Sequence, residues 1–486
     1  MSIDNESSGL QQARKKVKVG SARVVATLLL SVTTFGAVGL GVSWKFVDNI
    51  AQAVTPISST AEIGALDVPI INARRAPQTL SEDVKFRALN GQLATIARRL
   101  PNESCLIVDV EGKRLVNSNP DLSLLPASNM KIVVAAVALD VLGDNFQYVT
   151  QLVGRVNGDA VEGDIYLVGG GDPLLTTADY PATESYPTFN FTRVEDLFDT
   201  LSTMGINRIS GSIVADESRY DDERFTPTLG LGIKGTEVGP LGALMINDGV
   251  VTGNPIKLDH PGLAAATELT NLFRNNGITV SGEPKIGVAP SDLTAIAEIK
   301  SVTLPGVLAE MLTNSDNNSA DLLLKEIGFV ATGQGTRIAG IDTMKSKLVE
   351  WGIALDGIEI TDGSGLDRGN RLTCSAISAL LRRDGGFGPV GLGLAVAGRT
   401  GTLRAVLTDS ISTERLRGKT GTLSGAKALS GFISYTDVLA STFSLIMNGS
   451  NVSNQTTYRP IWNALADALG GFDGSPTAEE LAPKAP

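Results

Sequence analysis

Ser128-Asn129-Met130-Lys131 places a hydroxyl and an amine three positions apart, at the start of an apolar run that opens at Pro126 and stops at Leu142-Gly143. If that run is a helix, the two side chains share a face. The helix N-terminus then favours negative charge developing at Ser128. A lysine kept neutral by burial or a neighbouring cation can take the serine proton and so create a nucleophile. Ser315-Asp316-Asn317 precedes a second helix-like stretch, Ala320–Val330. Its hydroxyl and carboxamide, two residues apart on a loop, can relay a proton and bind a peptide amide. Lys419-Thr420-Gly421-Thr422 leads into a strand region. It offers a fixed cation, hydroxyl donors, and a glycine that lets a strand backbone approach a nucleophile closely.

Singly, each string has a plainer reading. Ser128 can be an ordinary N-terminal helix residue, Ser315-Asp316-Asn317 a cap or turn, and Lys419–Thr422 a solvated turn. The chain also carries echoes. Ser424-Gly425-Ala426-Lys427 repeats the serine–lysine spacing but precedes a strand, where the two side chains would not share a helix face. Arg399-Thr400-Gly401-Thr402-Leu403 repeats the later pattern 20 residues earlier and reads as a loop, since no apolar strand follows it as closely.

The elements that must hold these residues are legible in outline. Helical apolar spacing runs through Phe86–Leu100, and Cys105–Val110 reads as a strand turning at Glu111-Gly112. Residues 150–300 are richer in strands and turns, such as Gly163–Val168 and Gly211–Ala215, with helical signatures at Glu195–Met204 and Leu263–Asn275. Val307–Leu312, Ala320–Val330 and Ser375–Arg383 look helical, Ala428–Tyr435 and Thr442–Met447 read as adjacent strands, and Pro460–Leu469 as a last helix. Strands at both chain ends and a mixed block between them suggest a sheet built from both ends with an inserted middle domain.

Composition removes several alternatives. The 486 residues exceed one ordinary core, so two or three domains are expected. With 42% hydrophobic and 19% charged residues, 53 glycines and 5% aromatics, the chain reads as a sheet-rich α/β or α+β protein. A Ser-His-Asp triad needs a histidine beside its nucleophile and a histidine-rich zinc site needs several, whereas the chain has only His260; two cysteines exclude iron–sulfur clusters and cysteine-based zinc sites. The base of any hydrolase here is then Lys, Asp or Glu; no cofactor and no metal are expected. The net charge is −11; six basic and two acidic residues lie in the first 45, so the body carries −15. An acidic body argues against nucleic acid as a partner.

Val24–Trp44 is a run of 21 uncharged, mostly apolar residues. At about 1.5 Å per residue it crosses roughly 30 Å, one hydrocarbon core. Arg14, Lys15, Lys16, Lys18 and Arg23 precede it, so residues 1–23 are expected to form a cytoplasmic tail and the body to be exported. Ala51-Gln52-Ala53 is a cleavage-like site, but the run is longer than that of a usual signal peptide, and an uncleaved membrane anchor is the favoured expectation. The other expected divisions are a stalk at 45–80, domain parts at 81–150 and 301–470 around an insert at 151–300, and a flexible tail at 471–486. Export would permit a disulfide between Cys105 and Cys374, which stays open from sequence.

Together, S-x-x-K, S-x-N and K-T-G in this order resemble the signature of the penicillin-interacting serine enzymes. The 187 residues between Ser128 and Ser315 resemble the class C low-molecular-mass penicillin-binding proteins, the D-alanyl-D-alanine carboxypeptidase/endopeptidases. So do Gly169–Pro173, Asp216–Asp221, Ala243–Asp248, Thr361–Arg368 and Lys419–Ala426. The resemblance, over about residues 85–470, implies an α/β chain of α+β type. A β-lactamase/transpeptidase-like domain with a helical subdomain would carry a mixed domain inserted between the first two motifs. A third domain, nested in that insert in members of the family, is expected to be absent, since only Gly249–Leu263 separate Asn247-Asp248 from the next helix. Cys374 stands where a helix starter is expected. By resemblance Ser128 is the acylated nucleophile and Lys131 its base. Lys419 would help keep Lys131 neutral by like-charge repulsion, and Ser315 would protonate the leaving amine while Asn317 holds the substrate backbone. Lys419, Thr420 and Thr422 would bind the terminal carboxylate beside Gly421, and the N–H groups of Ser128 and Thr422 would form an oxyanion hole. Peptidoglycan stem peptides would be the substrates and β-lactam antibiotics the inhibitors, outside the bacterial cell membrane. A β-lactamase, a transpeptidase and a non-catalytic wall-binding protein are the alternatives.

Overall fold

The computed structural model describes residues 77–472 except 187, 255–256 and 437–439. The expected anchor Val24–Trp44, the basic tail, most of the stalk and the tail beyond 472 lie outside the described residues. Among the described residues, no helix is long and apolar enough to cross a membrane.

In chain order the elements are α1 (Pro77–Ala97), β1 (Ser104–Val110), β2 (Lys113–Ser118), a 3-10 turn (Ala127–Asn129) and α2 (Met130–Leu142). Next come β3 (Val149–Asn157), β4 (Ala160–Val168), α3 (Glu195–Thr203), β5 (Arg208–Ile209), β6 (Ile213–Asp216), α4 (Pro261–Asn275), β7 (Thr279–Val280), β8 (Lys285–Ile286) and β9 (Thr294–Lys300). The chain closes with α5 (Leu304–Asn314), α6 (Asn317–Thr332), α7 (Arg337–Glu350), α8 (Cys374–Asp384), the short α9 (Pro389–Gly393), β10 (Ala395–Val396), β11 (Leu416–Leu423), β12 (Ala426–Ser434), β13 (Ala440–Asn448) and α10 (Gln455–Gly470).

Six strands form an antiparallel sheet in the order β10-β11-β12-β13-β1-β2, joining both ends of the described chain. Both of its faces are covered. Cys105, Ile107, Ala428, Phe432 and Ile446 pack with α2, α5, α6, α7 and α8. The alternate residues Leu106, Val108, Leu429, Ile433 and Leu445 pack with α1 and α10. A strand buried on both faces reads as a continuous apolar run, as β1 does, because successive side chains enter opposite cores.

A second sheet is built from residues 149–300. It runs β8-β6-β4-β3-β9, with β5 beside β4 and β7 beside β5. One face packs on α3 and α4 through Leu197, Leu201, Leu269 and Phe273. The segment after β6 then returns to the first unit. Tyr220, Leu229, Val238 and Met245 pack on Leu322 of α6 and on Leu366, forming a wall beside the α5–α6 corner.

Cys105 and Cys374 are disulfide-bonded, with Cα atoms 5.9 Å apart. Cys374 is the first residue of α8, and Thr373 caps that helix by accepting from Ala376 N–H.

Candidate active site

Ser128 lies in the 3-10 turn rather than in the α-helix itself, which begins at Met130. The turn is held in an unusual shape. Ala127 has φ 47°, a left-handed conformation that non-glycine residues adopt only when their surroundings impose it. Two glycines impose it. Gly365, itself at φ 83°, packs so closely that a Cβ there would lie 2.0 Å from the Ala127 carbonyl oxygen. Gly421 of β11 lies where a Cβ would come within 2.8 Å of the Pro126 carbonyl oxygen.

Lys131 is fully buried. Its Nζ reaches Ser128 Oγ at 3.2 Å, Asn317 Oδ1 at 2.8 Å and the Ser364 carbonyl oxygen at 2.7 Å. The orientation of Asn317 is fixed because its Nδ2 donates to the Glu237 carbonyl at 2.8 Å. Asn317 Oδ1 and the Ser364 carbonyl can only accept. A neutral Lys131 therefore commits both of its hydrogens to them and turns its lone pair toward Ser128.

Burial drives the Lys131 ammonium down to about 8, against the pull of Asp321, Asp362 and Asp316, which favour the charged form. Desolvation alone produces this depression; the expected repulsion between the two lysines falls on Lys419 instead. Lys419 is itself held well below the ordinary lysine range, first by burial and then by the charge of Lys131. Asp321 is pushed up to about 7 by burial and by neighbouring Asp362, and Asp316 to about 6 by burial and Asp248.

Ser315, at φ 65°, and Asp316 form the two-residue corner between α5 and α6. Asp316 caps α6 by accepting from Asn318 and Ser319 N–H. Lys419 is buried on β11 and donates to the Thr420 carbonyl at 3.0 Å. Thr420 Oγ1 donates to Thr402 Oγ1 at 2.9 Å, so the loop echo at Arg399–Leu403 belongs to the wall of the site. Thr422 Oγ1 accepts from Lys427 Nζ at 2.7 Å, which gives the lysine of the strand-borne echo a place there too. The structure thus brings Ser128, Lys131 and Asn317 into one hydrogen-bonded group, with Gly421 packed against their turn. His260 is exposed, just before α4.

Sequence reasoning missed Ser364, Asp321, Asp362 and Glu237. Asp321 was legible, being one turn after Asn317 on the same helix face. Its Oδ1 accepts from Gly363 N–H at 2.7 Å and Ser364 N–H at 3.0 Å, which aims the Ser364 carbonyl at Lys131. Asp362 folds the same loop by accepting from Gly365 N–H, Asp367 N–H and Asn370 Nδ2.

Residues 89–254 and 251–469 match the D-Ala-D-Ala carboxypeptidase 3 (S13) family. A D-alanyl-D-alanine carboxypeptidase of Actinomadura sp. (strain R39) is 27% identical over 416 residues, 68% of this chain and 74% of that protein. Carboxypeptidase DacB of Mycolicibacterium smegmatis is 26% identical over 461 residues, 91% of this chain and 95% of that one. Among solved structures, penicillin binding protein 4 of Haemophilus influenzae shares the fold with a TM-score of 0.63 at 21% identity, covering 78% of this chain and 98% of that one. With both halves of its described body matched and an α+β fold in common with such a protein, this chain belongs to the D-Ala-D-Ala carboxypeptidase 3 (S13) family.

Proposed function

We propose that this protein is a serine-type D-Ala-D-Ala carboxypeptidase and endopeptidase that acts on peptidoglycan stem peptides through an acyl-enzyme on Ser128. The observation that carries the reading is the buried Lys131, whose acceptor-only partners leave its lone pair to Ser128 Oγ. Ser128 Oγ bonds to the carbonyl carbon as its proton passes to Lys131. The C–N bond then breaks, and the leaving amine takes a proton by way of Ser315. Water cleaves the resulting ester and restores the serine. The N–H groups of Ser128 and Thr422 stabilise the oxyanion. Lys419, Thr420 and Thr422 hold the terminal carboxylate, and Asn317 orients the substrate backbone.

A β-lactam carries a strained amide and a carboxylate in similar places and should acylate Ser128. Penicillin binding protein 4 of H. influenzae was solved with a β-lactam, and a penicillin G-acylated endopeptidase of Bdellovibrio bacteriovorus has the same fold. The basic flank and uncharged run of Val24–Trp44 support an uncleaved anchor that holds the body outside the bacterial cell membrane; cleavage after Ala53 would release it instead.

The test is covalent labelling of the full chain with a fluorescent penicillin, alongside D-Ala release from a pentapeptide. Ser128→Ala is expected to lose both while keeping its circular dichroism spectrum and unfolding midpoint. Peptidase activity retained in that folded variant would overturn the assignment, and rapid loss of the label from the wild type would move it to β-lactamase.

A further inference from the structure

A cavity of about 420 Å³ opens beside the catalytic group, and nothing in the mechanism above uses it. It lies between the end of α5 at Asn314, Leu392, Tyr186 and three arginines, Arg399, Arg404 and Arg417. Three links tie it to the site. Asn314 directly precedes Ser315. Arg417 lies two residues before Lys419 on β11, on the same strand face and about 6.6 Å further along. Thr402, inside the Arg399–Arg404 loop, is hydrogen-bonded to Thr420. These links place the cavity past the residues that would hold the substrate's terminal carboxylate, on the side of the leaving group.

Its charge runs against that of the whole chain, which carries a net −11. Arg399 pairs with Glu414 at 3.3 Å in solvent. Among the described residues, neither Arg404 nor Arg417 is paired with a carboxylate. The Arg404 guanidinium lies 5.3 Å from the Tyr186 ring centre, and the Arg417 guanidinium donates to the Leu392 carbonyl at 3.2 Å. Two guanidiniums set at a cavity mouth without carboxylates suit planar carboxylate ligands.

We propose that this cavity is the subsite for the leaving strand of a cross-link and that it binds a carboxylate of the second stem peptide. The proposal rests on the function proposed above. A pentapeptide releases a single D-alanine, whose carboxylate ends at Thr420 and Thr422, so it leaves the cavity empty. A cross-linked dimer releases a whole stem, and that stem has to continue into it. The bonds broken and formed are the same; only the amine that leaves differs. The arginines then select cross-linked substrate over the free pentapeptide and bias the enzyme toward endopeptidase work.

The test measures kcat/KM of the full chain for a purified cross-linked muropeptide dimer and for a monomeric pentapeptide. Losing one charge-assisted contact in Arg404→Gln should lower the dimer-to-pentapeptide ratio about tenfold. Arg404→Lys should recover part of it. A dimer whose acceptor-stem carboxylates are amidated, except the one beside the bond to be cut, should show the lower ratio already in the wild type, and Arg404→Gln should not lower it further. A ratio unchanged in Arg404→Gln and in Arg399→Gln/Arg404→Gln would overturn the proposal. So would a wild type that releases D-alanine but leaves the dimer intact, although the carboxypeptidase reading would stand. Failure of penicillin to label Ser128 would bring down both.

Discussion

A lysine can serve as a base at neutral pH only if its surroundings favour the neutral amine, and here burial opposes three carboxylates. Since burial takes Lys131 down to about 8, its neutral fraction grows as pH rises through that value. The second-order rate of acylation by benzylpenicillin is therefore expected to rise with pH, to be half-maximal near 8, and to level off above. Asp321 favours the Lys131 ammonium, so Asp321→Asn should move that limb to lower pH. The asparagine oxygen can still accept from Gly363 and Ser364 N–H, so the Ser364 carbonyl stays aimed at Lys131. Because Asp321 is itself pushed up to about 7, its charge is present over the limb and fades below it, where the two profiles should converge. Rates measured from about pH 6 to about pH 10 decide this, and a limb that stays in place or moves upward sinks the account. The lysine, the serine and the asparagine could all be named from their motifs. The Ser364 carbonyl could not, because a backbone oxygen leaves no mark in residue type.

Strand register decides what the K-T-G strand can offer a ligand. Pairing of β11 with β12 sets Thr422 opposite Lys427, on the sheet face covered by α10. The Lys427 Nζ lies 4.0 Å from the Tyr458 ring centre and 4.9 Å from that of Trp462. Burial lowers it to about 8, which leaves it mostly charged at neutral pH. As a donor to Thr422 Oγ1 it turns that hydroxyl's own hydrogen outward, ready for a substrate carboxylate. Lys427→Met keeps the packing between the rings and removes the donor. About a tenfold fall in kcat/KM for D-Ala release is expected, with an unchanged circular dichroism spectrum. An unaltered kcat/KM in the folded variant would show that Thr422 needs no such partner. Periodicity revealed α2, α5, α6 and the paired strands β12 and β13, all with strongly apolar faces. It missed α7, where Ile341, Met344 and Leu348 are the large apolar residues buried among polar neighbours. It also started α10 at Pro460, whereas the helix begins at Gln455 and carries the proline inside. Burial of Trp462, Leu465 and Leu469 outweighs the one hydrogen bond that Pro460 cannot make.

At the scale of the whole molecule, the proposed catalytic group is assembled where the central sheet, the helical layer and the wall after β6 meet. Ser128 comes from the turn into α2, Asn317 from the α5–α6 corner, Lys419 from β11, and the carbonyl that orients Asn317 from Glu237. The sheet made from both chain ends was legible in the order of apolar strands. The pairing of Cys105 with Cys374 was not, since 269 residues separate them and only the packing of α8 on β1 brings them together. That bond ties β1, next to the β2 edge of the sheet, to the helical layer, and the loop it closes contains Ser128, Ser315 and Ser364. Both cysteines are fully buried, so reductant should reach them only as the protein unfolds. An oxidising compartment is where such a bond persists, in keeping with action outside the cell membrane. Cross-links that close long loops restrict the unfolded chain most, and losing this one should cost about 2–5 kcal/mol. In the variant Cys105→Ala/Cys374→Ala the urea midpoint should fall accordingly. Its penicillin acylation rate at about 25 °C should stay within roughly twofold of the wild type, since neither cysteine contacts the catalytic group. An unchanged midpoint would mean that the interlayer core holds the two layers together without the bond. A collapsed acylation rate at a preserved midpoint would mean instead that the bond sets the geometry of the site rather than its stability.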